Sequence, residues 1–171
     1  MVIRDAVEND LPAILGIYND VIRTSTAVYA TEPVTLENRR AWLETRRTRG
    51  FPVVVSVEAD EVTGFASFGE WRAPSGYRYT VEHSVHVRSD LRGHGHGSGL
   101  VDTLIGRALA MRLHVMIGGI DAANLDSIRF HERLGFARAG EFHEVGHKFG
   151  RWLNLVLMQR MLGSPGAPRH V

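Results

Sequence analysis

The sequence predicts an α/β chain: one central, twisted mixed β-sheet flanked by helices. Three observations carry that prediction. Short valine-rich or alternating apolar runs are separated by segments whose apolar residues recur at helical spacing. Together they give the order β-α-α-β-β-β-α-β-α-β-β, which suits a mixed sheet with helices packed on it. A glycine-rich stretch, Arg92-Gly93-His94-Gly95-His96-Gly97-Ser98-Gly99, lies between a strand-like run and a helical one.

Val2-Ile3-Arg4 reads as an edge strand. Asn9-Asp10-Leu11-Pro12 then supplies a cap and a first-turn proline for a helix carrying Ile14, Ile17, Tyr18, Val21 and Ile22. Thr24 to Glu32 is polar and irregular. Thr35 opens a second helix, with Glu37 and Asn38 in its first turn, and Gly50 stops it. Its Arg39-Arg40 and Arg46-Arg47 pairs read as a solvated face. Val53 to Val57 and Val62 to Trp71 are strands joined at Asp60-Glu61, and Arg72 to Arg78 is a loop. Tyr79 to Val87 alternates as a strand. The glycine stretch and a helix from Leu100 to Leu113 come next, then a strand over His114 to Ile120. Asn124 to Leu134 is a short helix broken by Gly135, and Phe136 to Val145 and Trp152 to Met161 form a closing strand pair.

At 171 residues the chain is long enough for one domain, expected over 1–162, that buries roughly 70% of its unfolded surface. Residues 163–171, with Pro165, Gly166 and Pro168, read as a frayed tail. A net charge of +1 offers no field for nucleic acid or a membrane surface. The absence of cysteine excludes disulfides, zinc–thiolate sites and thiol catalysis, and it fits a reducing, cytoplasmic setting. No signal peptide opens the chain, and no apolar run nears the ~18 residues of a membrane span.

The glycine stretch sits where a helix begins. Unpaired backbone N–H groups and the helix dipole make such a turn a ready anion site, and Arg92 adds a cation suited to phosphate. Spacing excludes two familiar cradles. No Lys-Ser/Thr pair follows a second glycine, as a P-loop requires, and no frame of the stretch satisfies G-x-G-x-x-G/A. His94 and His96 alternate with glycine but lack a cysteine or an acidic residue in the stretch to join them, so no metal is expected.

Val85-His86-Val87 followed by Arg92-x-x-Gly95-x-Gly97 resembles the acyl-CoA signature of the GCN5-related N-acetyltransferases (GNAT family). Asn124-x-x-Ser127-Ile128-x-x-His131-Glu132-x-Leu134-Gly135-Phe136 is similar to its second half. A finer resemblance is to the subgroup that acetylates phosphinothricin and methionine sulfoximine. Its marks are Thr24-Ser25-Thr26, Thr31-Glu32-Pro33, Trp71-Arg72, Thr80-Val81-Glu82-His83-Ser84, Ile120-Asp121-Ala122-Ala123-Asn124 and Gly146 to Trp152. His86 and Asn154 depart from the subgroup's usual Tyr and Asp. The resemblance implies an acetyl-CoA-dependent transferase. Arg92, Gly93, His94, Gly95, His96, Gly97 and Ser98 would hold the pyrophosphate, Val85, His86 and Val87 would lie along the pantetheine, and Asn124 would face it.

Acetyl transfer to an amine needs a neutral amine, a polarised thioester carbonyl and a protonated thiolate. Glu82, on the strand leading to the cradle, is the first candidate for the base. His131 is the second, placed where many family members have a tyrosine, and it could serve as acid or base. Backbone N–H near Val85 to Val87 would bind the carbonyl oxygen. Arg72, Ser75, Gly76 and Tyr77 resemble the subgroup's acceptor-binding loop, and Tyr29 could close its other wall. Lys148 and Trp152 could contribute from the final strand pair.

The expected reaction is direct acetylation of a small amino-acid-like amine such as methionine sulfone, methionine sulfoximine or phosphinothricin. The alternatives are acetylation of a protein N-terminus or polyamine, or a non-catalytic CoA-binding module. A homodimer is expected.

Overall fold

A computed structural model describes residues 1–163, so the tail expected beyond Gly163 lies outside the described residues. Strand β1 (Val2–Asp5) leads through a tight turn into helix α1 (Leu11–Thr24), and α2 (Leu36–Thr48) follows. Strands β2 (Val53–Glu58), β3 (Glu61–Glu70) and β4 (Thr80–Val87) precede α3 (His96–Ala110). The chain then forms β5 (Val115–Asp121), α4 (Leu125–Arg133), β6 (Ala137–Lys148) and β7 (Arg151–Met161). They build one sheet in the order β1-β2-β3-β4-β5-β7-β6. Every pairing is antiparallel except β4 with β5, so the sheet is mixed, as the element order predicts.

The parallel pair positions the site. β4 and β5 are in register only at Thr80–Val115, Val81–Met116 and Glu82–Ile117. Beyond Glu82 they part, leaving the β5-facing edge of β4 without a strand partner, while its other edge stays paired to β3 as far as Val87.

Side-chain alternation splits the core over the two faces of the sheet. Val54, Ala66, Phe68 and Val81 pack with Leu100, Leu104 and Ala108 of α3. Val53, Val55 and Phe65 pack with Leu11, Ile14 and Ile17 of α1 and Leu43 of α2. Thr35 caps α2 by accepting the Asn38 N–H at 3.2 Å, and Gly50, at φ +71°, ends it. Asp10 does not cap α1 through its side chain: its buried carboxylate takes two bonds from Arg4, at 2.6 and 2.8 Å, and one from the Val7 N–H. Helix α3 starts at His96, earlier than its apolar run, so its first turn is made of the glycine stretch itself. Helix α2 also departs from expectation. Arg39 is 8% exposed and Arg46 is half-buried, so this face is covered rather than solvated.

Candidate active site

Alternation along β4 assigns its side chains. Glu82, Ser84 and His86 point toward α1 and α2 and line a cavity of about 360 Å³. Val85 and Val87 pack instead toward the α3 face. The cavity's other walls come from Tyr18, Arg39, Trp42, Arg46, Phe65, Glu70, Ala27 and Val28 of the α1–α2 loop, and from His83 and Gly119.

Glu82 stands where β4 and β5 part. A Cβ on Gly119 of β5 would lie 3.2 Å from its Oε1, so this glycine leaves room for the carboxylate. Its surface is open to the cleft, yet the surrounding protein raises its pKa by desolvation, and the Arg72 guanidinium offsets part of that rise.

His83 and His131 meet behind Glu82, on the opposite face. Their ring centroids are 5.1 Å apart, and Phe136 packs on both. A Cβ on Gly118 would lie 3.0 Å from His83 Nε2 and 3.4 Å from His131 Nε2. Both imidazoles are buried, and burial lowers both pKa values, that of His83 to about 3. His131 Nδ1 lies 2.7 Å from the Ser127 carbonyl. A carbonyl only accepts, so Nδ1 carries the proton and the neutral ring presents Nε2 as an acceptor.

The glycine stretch divides its labour. Gly93 (φ +83°) and Gly95 (φ +87°) hold left-handed backbone that other residues resist. Gly97 and Gly99 are close-approach positions: a Cβ would lie 3.3 Å from Phe130 Cζ and 2.8 Å from Ile3 Cδ1, respectively. The N–H groups of His96, Gly97 and Ser98 open α3 without intrahelical acceptors. Arg92 and His94 are exposed beside them, with Arg92 Nε 3.4 Å from the Val87 carbonyl. The His96 side chain turns away from the cradle. It is buried, with Nδ1 3.0 Å from Thr63 Oγ1 and Nε2 3.4 Å from Glu58, so only its backbone is left at the glycine turn.

His86 also turns its ring away from the α3 face, packing on Phe65 at 5.2 Å and Tyr18 at 5.7 Å. Asn124 commits its side-chain oxygen to capping α4, accepting the Ser127 N–H at 3.1 Å. Arg72, Ser75, Gly76 and Tyr77 lie on an exposed loop. There the Arg72 guanidinium stacks on Trp71 at 4.7 Å, and the Tyr77 ring meets Trp71 edge-on at 5.2 Å.

Tyr29 is outside the cavity lining. Its hydroxyl donates to the Asn154 carbonyl at 3.1 Å and its ring covers Gly146. It belongs to a latch that pins the α1–α2 loop to the last strands. Lys148, 2% exposed, donates to the Ser25 and Val28 carbonyls at 2.7 and 2.6 Å, and Thr26 donates to buried Asp121. Lys148 thus supports the Ala27–Val28 wall from behind.

Sequence reasoning missed Tyr18, Trp42, Arg39 and Arg46. The signal was available on α2: positions 39, 42, 43 and 46 lie on one helical face, and two of them are apolar.

Among the described residues, no group of three or more His, Asp or Glu side chains could hold a metal ion, and no helix is long and apolar enough to cross a membrane.

Comparison with known proteins agrees with this geometry. Residues 14–136 match the model of the Acetyltransferase (GNAT) family. A methionine sulfoximine/methionine sulfone acetyltransferase of Pseudomonas aeruginosa is 52% identical over 158 residues, covering 92% of each chain. A phosphinothricin N-acetyltransferase of Streptomyces coelicolor is 36% identical, covering 94% of this chain and 95% of its own. The solved phosphinothricin acetyltransferase of Sinorhizobium meliloti, in complex with acetyl-CoA, superposes with a TM-score of 0.95 at 34% identity, over 99% of this chain and 92% of that one. With the parted β4–β5 pair and the glycine-opened helix beside it, these matches establish that the chain belongs to the GNAT acetyltransferase family.

Proposed function

We propose that this chain is an acetyl-CoA-dependent N-acetyltransferase acting on the amino group of a small amino-acid-like substrate of the methionine sulfone, methionine sulfoximine or phosphinothricin type. The observation that carries the reading is the position of Glu82. This carboxylate, its pKa raised, lies at the strand opening and faces a cavity large enough for an amino acid.

The chain's own residues fit acetyl-CoA. The N–H groups that open α3, with Arg92 beside them, suit a pyrophosphate. Backbone at Val85, His86 and Val87, on the unpaired edge of β4, suits an extended arm. When bound, acetyl-CoA supplies an activated acetyl group as a thioester. Glu82 takes the proton of the acceptor's ammonium, directly or through water; its raised pKa makes it a better base than an ordinary carboxylate. His131, neutral and with Nε2 free, would take the second N–H proton and pass it to the leaving thiolate, so that one proton ends on Glu82 and one on the thiol. Edge N–H groups of β4 steady the carbonyl oxygen. Arg72 and Tyr77 border the mouth from the β3–β4 loop and contact the acceptor.

The β6–β7 hairpin exposes Phe142, Val145, Phe149 and Trp152 beside the sheet-edge strand β6, and a second copy of the chain covers them in a homodimer. A cytoplasmic setting is consistent with the absence of cysteine.

A steady-state screen with acetyl-CoA tests the reading. Methionine sulfone, methionine sulfoximine and phosphinothricin are offered beside spermidine and N-terminal peptides. Turnover confined to the amino acids supports it; turnover of spermidine or peptides alone, or none at all, overturns it.

A further inference from the structure

The cavity holds a buried positive charge that nothing in the described chain neutralises. Arg39 is 8% exposed, and its guanidinium packs against the rings of Tyr18 (4.3 Å) and Trp42 (5.0 Å). Its hydrogen bonds go only to a neutral acceptor, Asn38 Oδ1, at 3.1 Å from Nε and 2.7 Å from Nη2. Two turns along the same helix face, the Arg46 guanidinium lies against β3 at Gly69. A Cβ on Gly69 would fall 1.6 Å from its Nη1, and its buried Nε has no partner. The two cations oppose each other: burial lowers the pKa of both, and Arg46 lowers that of Arg39 further.

Neither carboxylate lining the same cavity is ion-paired with Arg39 or Arg46. Glu70 is paired with Arg49 at 2.5 Å and only partly offsets the burial of Arg46, and Glu82 feels Arg72. A desolvated guanidinium without a counter-ion is costly, and its planar fork matches a carboxylate in geometry as well as charge. Among the remaining walls, Ala27, Val28, Trp42 and Phe65 are apolar and suit the body of a small molecule, while Ser84 and His86 add polar groups.

We infer that the Arg39–Arg46 end of the cavity is a carboxylate subsite, holding the acid group of the same small molecule whose amine faces Glu82. The inference rests on the acetyltransferase reading above and deepens it, because it makes the acceptor a free amino acid. A polycation is repelled by the same two side chains. Arg72, at the mouth, is then left to border the acceptor rather than anchor its acid.

The test compares L-methionine sulfone with its α-carboxamide on the wild type and on Arg39→Gln, Arg39→Lys and Gly69→Ala. Wild type favours the acid over the amide by about 10- to 100-fold in kcat/KM, mostly through KM. Arg39→Gln erases that preference while leaving KM for acetyl-CoA unchanged. Arg39→Lys, which keeps the charge, retains part of it. Gly69→Ala keeps both charges but crowds the Arg46 guanidinium, and it raises KM for the acid more than for the amide. Comparing ratios between proteins cancels the different basicity of the two amines.

A second readout does not need turnover. Trp42 touches the Arg39 guanidinium, so its fluorescence should report L-methionine sulfone binding, and Trp42→Phe should abolish the signal. A saturable response in the wild type that is absent with the amide and in Arg39→Gln supports the subsite, even if the acetyl-transfer screen fails. An acid-to-amide preference unchanged in Arg39→Gln, or an equal response to acid and amide, overturns it.

Discussion

His131 Nδ1 donates to the Ser127 carbonyl 2.7 Å away, one helical turn earlier in α4. The bond spends the ring's one proton on the helix and fixes the tautomer, leaving Nε2 beside Gly118 as the unprotonated nitrogen. His131→Asn keeps a donor that can reach Ser127 but loses that nitrogen. We expect kcat to fall about 10²-fold with KM for acetyl-CoA unchanged, measured by steady-state thiol release.

Glu82→Gln separates activity from stability. As the base, Glu82 gives kcat/KM a rising limb centred above the ordinary carboxylate range, and the variant should lose that limb and about 10²-fold in kcat. A carboxyl whose folded pKa is raised adds stability at low pH that is lost as pH rises through the folded value. The neutral amide avoids that loss, so at pH 7 Glu82→Gln should melt at a higher temperature than the wild type while turning over more slowly. A lower melting temperature would contradict the assigned environment.

The buried histidines predict acid sensitivity. His83 and His86 have pKa values lowered from 6.5 to about 3 and about 4, chiefly by burial. Between pH 6.5 and about 4 the unfolded chain binds these protons and the native state does not. Stability therefore falls as pH falls, by about 1.4 kcal/mol per pH unit for each group. Urea melts across this window should show the slope, and His83→Leu should reduce it by one group's share.

Gly118→Ala places a methyl 3.0 Å from His83 Nε2 and 3.4 Å from His131 Nε2, against two rings that Phe136 already confines. Overpacking of this kind costs about 1–3 kcal/mol, and displacement of His131 should lower kcat as well. Denaturant melts and kinetics on the same preparation check both effects.

Lys148→Met removes both donors to the Ser25 and Val28 carbonyls while keeping most of the side chain's length. The unpaired carbonyls should cost about 1–3 kcal/mol. The loosened Ala27–Val28 wall should raise KM for the acceptor several-fold and leave that for acetyl-CoA unchanged. Equal rises in both would place the latch elsewhere in the reaction.

Much of this architecture is written locally. Thr35 and Gly50 bracket α2 as their chemistry requires, and the alternation of β4 by itself puts Glu82 and His86 on one face. What escapes the sequence depends on distant partners. Arg39 and Arg46 look solvated until Tyr18 from α1 and Gly69 from β3 close over them. His96 looks like part of an anion turn until Thr63 and Glu58 claim its ring. The start of α3 was hidden because a helical turn containing glycine and histidine carries no apolar period.

Past Glu82, one short strand presents three separate surfaces: a bare main-chain edge, an inner face with Val85 and Val87, and an outer face with Ser84 and His86. A ligand laid along the edge reads peptide groups and is indifferent to residue identity. Side chains on the outer face can therefore drift to suit a new amine without forfeiting the thioester. Acceptor preference and acyl-donor recognition can diversify independently on the same eight residues of β4.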